Sequence, residues 1–194
     1  MTLLSAQNIS YSINENKLFQ NLSFEINSGE GLHVKGGNGS GKSTLLRIIL
    51  GITSPSKGFI ETYNQDLNIS YLGHKNAIKN YLTPLENLEL LFNDAELNLA
   101  FEWLRKLDLS DVQDELTASL SFGQQKKLAL IRVLAKSSEL MVLDEPLVGL
   151  DQATADQLSS FLVQKLSEGV GLILTSHINP MIDFKVLDLG AKNA

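Results

Sequence analysis

Gly36-Gly37-Asn38-Gly39-Ser40-Gly41-Lys42-Ser43-Thr44 is the stretch on which the fold turns. It has the form G-x-x-x-x-G-K-[ST], and its residue types answer one chemical task. A polyphosphate is wrapped by backbone N–H groups, so the chain must turn sharply and come close to the ligand. The glycines allow this because they take positive φ without a Cβ penalty. Upstream, Gly31 to Lys35 reads as a short strand. Downstream, about Ser43 to Leu50 reads as a helix. Its first turn offers free N–H groups and the positive end of its dipole to the phosphates. In this reading Gly36, Asn38, Gly39, Ser40 and Gly41 form the cradle. Lys42 reaches the β- and γ-phosphates, the Ser43 hydroxyl ligates Mg²⁺, and Thr44 supports the same shell.

Working outward, the N-terminal part reads as strands. Leu22, Phe24 and Ile26 alternate with polar neighbours, the period of a half-buried strand. Phe59 to Tyr63 and Asn68 to Leu72 are further short candidates. The middle turns helical. Thr83-Pro84-Leu85-Glu86 carries Thr at the N-cap, Pro at N1 and Glu at N3, so a helix starts there, with Leu85, Leu88, Leu91 and Phe92 on one face. A second helix is expected over about Ala95 to Leu107. A third starts near Ser121, where Ser121 and Gln124 have capping-box spacing, and buries Leu128, Ile131, Leu134 and Ala135. Strand signals return at Leu140 to Leu143, Gly171 to Thr175 and Phe184 to Leu189. Between them Asp151 caps a helix carrying Leu158, Phe161, Leu162 and Leu166. Strands alternating with helices predict an α/β layered core. The chain therefore reads as one domain over 1–194. Its core occupies about 1–73 and 137–194, with an inserted helical subdomain at about 74–136.

The bulk numbers exclude several classes. At 43% hydrophobic and 20% charged residues the composition is that of a globular domain, which argues against global disorder. A formal net charge of −6 argues against direct nucleic-acid binding and against unaided docking on an anionic membrane. Without cysteine the chain has neither disulfides nor a thiolate metal site. Met1 to Tyr11 has no basic segment followed by a long apolar run, so no secretory signal is read. No apolar stretch approaches the roughly 18 residues of a spanning helix. Work at a membrane would need spans from another subunit.

Leu140-Met141-Val142-Leu143-Asp144-Glu145-Pro146 is an apolar strand ending in two acids. A buried parallel strand delivers such carboxylates to the carboxyl end of the sheet, where nucleotides bind. Adjacent strand residues point opposite ways, so only one of the pair faces a metal from the strand itself. Asp144 is assigned to Mg²⁺, directly or through water, and Glu145 to the attacking water.

Leu120-Ser121-Phe122-Gly123-Gln124-Gln125 separates this chain from other phosphate-loop proteins. It resembles the L-S-G-G-Q signature of ABC ATPases. As in that family, it precedes the acidic strand with a helix between; Ser121 lies 23 residues before Asp144. Phe122 stands where the family has its first glycine. Three further pieces resemble the family. Val148-Gly149-Leu150-Asp151 stands where the D-loop does, Thr175-Ser176-His177 where the switch histidine does, and Tyr11 where an aromatic stacks on adenine. The resemblance covers the chain in order. It implies a P-loop NTPase three-layer core with an antiparallel β edge sheet and an inserted α-helical subdomain. It also implies an ATPase that works as a head-to-tail dimer of two identical copies. There Ser121, Gly123 and Gln124 of one subunit close on the γ-phosphate held by the other, and Asp151 touches the partner. Lys42, Glu145 and His177 form the implied catalytic set.

Between the phosphate loop and the signature the family usually places a glutamine after a strand; here His74 occupies its place. Tyr71-Leu72-Gly73-His74-Lys75, Ile78-Lys79 and Leu82-Thr83-Pro84-Leu85-Glu86-Asn87-Leu88 resemble the ATP-binding subunit of the bacterial cytochrome c maturation system. That resemblance implies ATP and Mg²⁺ as cofactors, an integral membrane subunit as partner, and a peripheral position on the cytoplasmic face of the inner membrane. There ATP hydrolysis would drive the haem-handling step, with His74 touching Mg²⁺ through water. Another ABC exporter is the alternative within the family. A soluble ABC ATPase acting on nucleic acid or ribosomes is the alternative of a different class. The spacing of the motifs leaves no room for a long coiled coil, and the chain holds one ATPase unit. A GTPase would need N-K-x-D, which Asn16-Lys17-Leu18-Phe19 does not supply.

Overall fold

The computed structural model describes residues 1–14, 16–177, 182 and 184–190. In chain order these form β1 (Thr2–Ile13), β2 (Asn16–Asn27), β3 (Gly31–Lys35), α1 (Lys42–Ile49), β4 (Lys57–Thr62), β5 (Ile69–Leu72), α2 (Pro84–Glu89), α3 (Asp94–Lys106), α4 (Phe122–Leu134), β6 (Leu140–Asp144), α5 (Gln152–Ser167), β7 (Gly171–Thr175) and β8 (Lys185–Asp188). Two sheets result. One is antiparallel in the order β2-β1-β4; the other is parallel in the order β5-β6-β7-β3-β8.

The layering follows from the period of two along the central strands. Leu140 and Val142 of β6 pack into a core with Leu45 and Leu46 of α1 and with Ile9 and Ile26 of the antiparallel sheet. Met141 and Leu143, pointing the other way, pack with Leu104 of α3, Leu128 and Ile131 of α4, and Leu158 of α5. All five residues of β6 and all five of β7 are buried, which is why both read as unbroken apolar runs. Each fully buried leucine here contributes about 1.5–3 kcal/mol of transfer free energy. The fold is thus an α/β core covered on both faces.

Between β5 and β6 the described residues form helices and turns only, with short 3₁₀ segments at Ser110–Val112 and Thr117–Ser119. The Thr83 capping box is formed: the Thr83 hydroxyl accepts from the Glu86 amide and the Glu86 carboxylate accepts from the Thr83 amide. The helix it opens is shorter than its apolar spacing predicts. It ends at Glu89, and Leu91 lies outside it, 43% exposed. The cause is the next cap. Asn93 must adopt extended backbone so that its side chain can accept from the Ala95 and Glu96 amides, and the chain leaves the helix to reach it. Asn87, which the apolar pattern passes over, is buried inside this region. Its amide donates to the carbonyls of Lys79 and Thr83 and to the Thr117 hydroxyl, and its oxygen accepts from the Lys79 amide. Among the described residues no helix is long and apolar enough to cross a membrane.

Candidate active site

The parallel strands end together, and the functional segments leave from those ends. β3 runs into the phosphate loop, whose Gly36, Gly39 and Gly41 all have positive φ. Gly41, at φ 99°, caps α1 with no side chain covering the first-turn N–H groups, so these are free for an anion. Lys42 Nζ donates to the carbonyl oxygens of Gly36 and Gly37 at 2.9 and 3.4 Å, curling back over its own loop.

The period of two also places the acids. Asp144 follows Leu140 and Val142 on the face of β6 that looks toward α1. It is 1% exposed. In the parallel register Asp144 stands beside Thr175 of β7. The Thr175 hydroxyl donates to Asp144 Oδ1 at 2.7 Å and accepts from the Glu145 amide at 2.9 Å. Asp144 Oδ2 is buried and has no hydrogen-bond partner among the described residues, as does the Ser40 hydroxyl. A buried carboxylate oxygen without a donor, beside the Ser43 side chain in one cleft, is a donor set that fits Mg²⁺.

Glu145 sits at φ 50°, left-handed backbone that a non-glycine residue adopts at a cost and that clusters at functional sites. The turn swings its carboxylate into the cleft. Glu145 Oε1 lies 3.9 Å from Lys42 Nζ and 3.3 Å from His177 Nε2, and the His177 amide donates to Oε2 at 3.3 Å. His177 Nε2 is also 3.3 Å from Lys42 Nζ. That nitrogen accepts from Lys42 when bare and donates to Glu145 when protonated. His177 is held from behind by His33 of β3, whose Nε2 lies 3.0 Å from the Ser176 carbonyl. Burial pushes the His33 pKa below the usual range, so the neutral ring donates this bond.

A cleft of about 580 Å³ joins these groups, within the range of small-molecule sites. It is lined by residues 37–44, His74, Asp144, Glu145 and His177 from the expected set. Gly36 closes the loop behind it. Tyr11 is not in the lining. It is half-buried and stacks on Phe19 with ring centroids 6.3 Å apart. The apolar wall at that end comes from Ile13 and Leu18, where β1 turns into β2. Tyr11 is therefore a packing tyrosine in this structure.

The signature segment opens α4 as its spacing predicts. Ser121 Oγ accepts from the Gln124 amide and Gln124 Oε1 from the Ser121 amide. Ser121, Gly123 and Gln124 do not line this chain's own cleft, whereas Phe122 does. Phe122 is 64% exposed and lies against Gly149; a Cβ on Gly149 would stand 2.4 Å from the Phe122 ring, and Gly149 itself has φ 81°. Gly149→Ala should cost about 1–2 kcal/mol in urea unfolding, from left-handed strain and displacement of the ring. In a Phe122→Ala background only the strain should remain, and equal costs in both backgrounds would rule out the contact. Asp151 caps α5 by accepting from the Thr154 amide at 2.8 Å and pairs with Lys127 of α4 at 2.9 Å. The Thr154 amide and Lys127 hold its carboxyl far below the usual range.

Two cleft contributors carry no motif signal. Lys126 lies one turn beyond Phe122 on α4 and is 4% exposed at the cleft wall. Burial lowers its pKa, and the charges of Asp144 and Glu145 oppose that shift. Asn76 joins the lining after His74, in a loop held from behind by Arg132 of α4. The Arg132 guanidinium donates to the carbonyls of Asn76 and Ala77 at 3.1 and 2.9 Å. The i, i+4 spacing from Phe122 was the only trace of Lys126 in the sequence.

Comparison with known proteins agrees with this geometry. Residues 19–148 match the profile of the ABC transporter family. Proteins named cytochrome c biogenesis ATP-binding export protein CcmA are similar over most of their length. The one from Idiomarina loihiensis is 38% identical, covering 90% of this chain and 85% of the relative. That from Tatumella citrea is 35% identical over 90% and 88%, and that from Escherichia coli K12 34% over 91% and 90%. Among solved structures, an ATP-binding subunit of an ABC transporter superposes with TM-score 0.85 at 24% identity, over 97% of this chain and 87% of that one. A dimeric ATP-binding cassette in a post-hydrolysis state with ADP and Pi gives 0.82 at 24% identity, over 97% and 94%. The chain belongs to the ABC transporter family, in its ATP-hydrolysing subunit class and among the cytochrome c biogenesis ATP-binding export proteins.

Proposed function

We propose that the chain hydrolyses ATP in the cleft over residues 36–44 and couples this to the haem-handling step of cytochrome c maturation. The observation that carries the chemistry is the convergence of Lys42, Asp144, Glu145 and His177 at the ends of β3, β6 and β7, beside an open helix N-terminus. The first-turn amides of α1 and Lys42 bind the phosphates. Asp144 Oδ2 and the Ser43 hydroxyl would hold Mg²⁺, which when bound supplies positive charge to the β- and γ-phosphate oxygens. Glu145 orients the attacking water and takes its proton, and His177 fixes the carboxylate and faces the γ-phosphate. His74 stands on the cleft wall, and this reading assigns it to that shell through water.

The closed state needs a second copy. Ser121, Gly123 and Gln124 do not line their own cleft, which supports their serving a nucleotide held by another subunit. Asp151 is tied to the same helix through Lys127, and the likeness to a dimeric cassette supports this pairing. Residues 74–136 form the part that follows the membrane partner, and Arg132 ties its loop at 76–77 to the signature helix. The names of the relatives support the cytochrome c assignment, and a place on the cytoplasmic face of the inner membrane goes with that reading.

The test is extraction of the tagged protein from native membranes in mild detergent. Small membrane subunits, haem-handling partners and a haem absorption band in the eluate are expected. A different permease would keep the ATPase and remove the haem step. Recovery of only soluble or nucleic-acid partners would remove the membrane role.

A further inference from the structure

Lys126 belongs to none of the motifs above, yet it lines the nucleotide cleft together with Asp144 and Glu145. It is 4% exposed, and what remains exposed opens on the nucleotide cleft. Among the described residues its ammonium makes no hydrogen bond and no ion pair. The stem is covered while the ammonium itself still touches solvent in the cleft, where nearby charge or a ligand can engage it. The charges that act on it are those of Asp144 and Glu145. Those same carboxylates hold two of the three buried unbonded oxygens of the cleft, Asp144 Oδ2 and Glu145 Oε1, the third being the Ser40 hydroxyl. Lys42 reaches only Glu145, at 3.9 Å, and its donors are already committed to the Gly36 and Gly37 carbonyls. Two buried acids therefore face one engaged lysine and one unengaged lysine. α4 fixes the second from behind, because Lys126 lies on a helix whose neighbouring Gln125 is bonded to the Thr117 and Leu120 carbonyls.

We propose that Lys126 is a second lysine of the nucleotide cleft, a built-in cation that faces Asp144 and Glu145 and competes with the divalent metal for them. The inference rests on the assignment of nucleotide and metal to this cleft. In the metal-free protein Lys126 balances the paired carboxylates and keeps them from repelling the phosphates. When the metal is bound, the same positive charge opposes it. The consequence is a nucleotide affinity that depends less on the metal than it would with a neutral residue at 126.

The experiment measures the dissociation constant of a non-hydrolysable ATP analogue, by titration calorimetry on the full chain, in EDTA and in millimolar Mg²⁺. The quantity read is the ratio of the two constants. In Lys126→Met, which keeps the length and loses the charge, that ratio should rise by about tenfold, mainly through weaker binding in EDTA. Lys126→Arg, which keeps the charge, should hold the ratio within about twofold of the parent. Should Lys126→Met fail to fold, Lys126→Gln reads the same ratio with a polar tip in the cleft. An unchanged ratio in the neutral variants, or an equal rise in Lys126→Arg, overturns the role of Lys126 alone. A parent protein whose analogue binding ignores Mg²⁺ overturns the metal assignment and this inference with it.

Discussion

Glu145→Gln should lower ATP turnover by about 10²–10⁴-fold while leaving ATP binding within about threefold of the parent. Glutamine keeps the shape of the side chain and its hydrogen-bonding tip but cannot take a proton from water. The cradle is untouched, because the first-turn amides of α1 and Lys42 belong to a different segment. Binding should tighten slightly if it changes, since a negative charge 3.9 Å from Lys42 Nζ is removed next to where phosphates sit. The variant should also accumulate as an ATP-loaded dimer, because the closed state no longer resolves. Steady-state phosphate release, filter binding with ATP and size-exclusion chromatography in ATP read the three quantities. Turnover within about fivefold of the parent would remove Glu145 from the water-activating role and leave His177 as the candidate.

Much of this site is legible in the sequence, and the reason is locality. The phosphate loop, the capping boxes at Thr83 and Ser121, and the acids after Leu143 are each decided by residues a few positions apart, so spacing alone exposes them. The alternation through Leu140–Asp144 even fixes which acid looks toward α1. What the sequence hid depends on long-range pairing. Tyr11 and Ile13 are equally plausible walls until β1 pairs with β2 and the loop at Gly41 packs against Leu18 and Phe19. Lys126 looks like one of two adjacent solvent lysines, and its burial appears only when α4 packs against β5. Lys127, the other, is itself largely covered, with a side chain 14% exposed, and pairs with Asp151. Leu91 fits the helical period but loses to the Asn93 cap, a competition between two local signals that spacing alone does not rank.

The hydroxyl of Thr175 is the other point on which a large effect should turn, and it too comes from register. Thr175 is fully buried, and it serves both acids at once: it donates to Asp144 Oδ1 and accepts from the Glu145 amide. Valine has nearly the same shape and neither function. Thr175→Val leaves a buried amide without an acceptor and a buried carboxylate oxygen without a donor. Each such group costs about 1–3 kcal/mol, so a loss of about 2–6 kcal/mol in urea unfolding is expected. The effect on chemistry is separate. Glu145 holds a left-handed backbone that this bond anchors, and Asp144 keeps its second oxygen toward the cleft because the first is tied to Thr175. Freed from both, the acids should drift by a fraction of an ångström to an ångström, enough to lower turnover by about 10²-fold at temperatures where the variant is still folded. Thr175→Ser keeps the hydroxyl and loses one methyl, so it should cost about 1 kcal/mol and spare turnover. The contrast between valine and serine carries the argument. If the two lose stability equally, packing explains Thr175. If valine loses stability but keeps turnover, the bond holds the strands together and the placement of the acids comes from elsewhere.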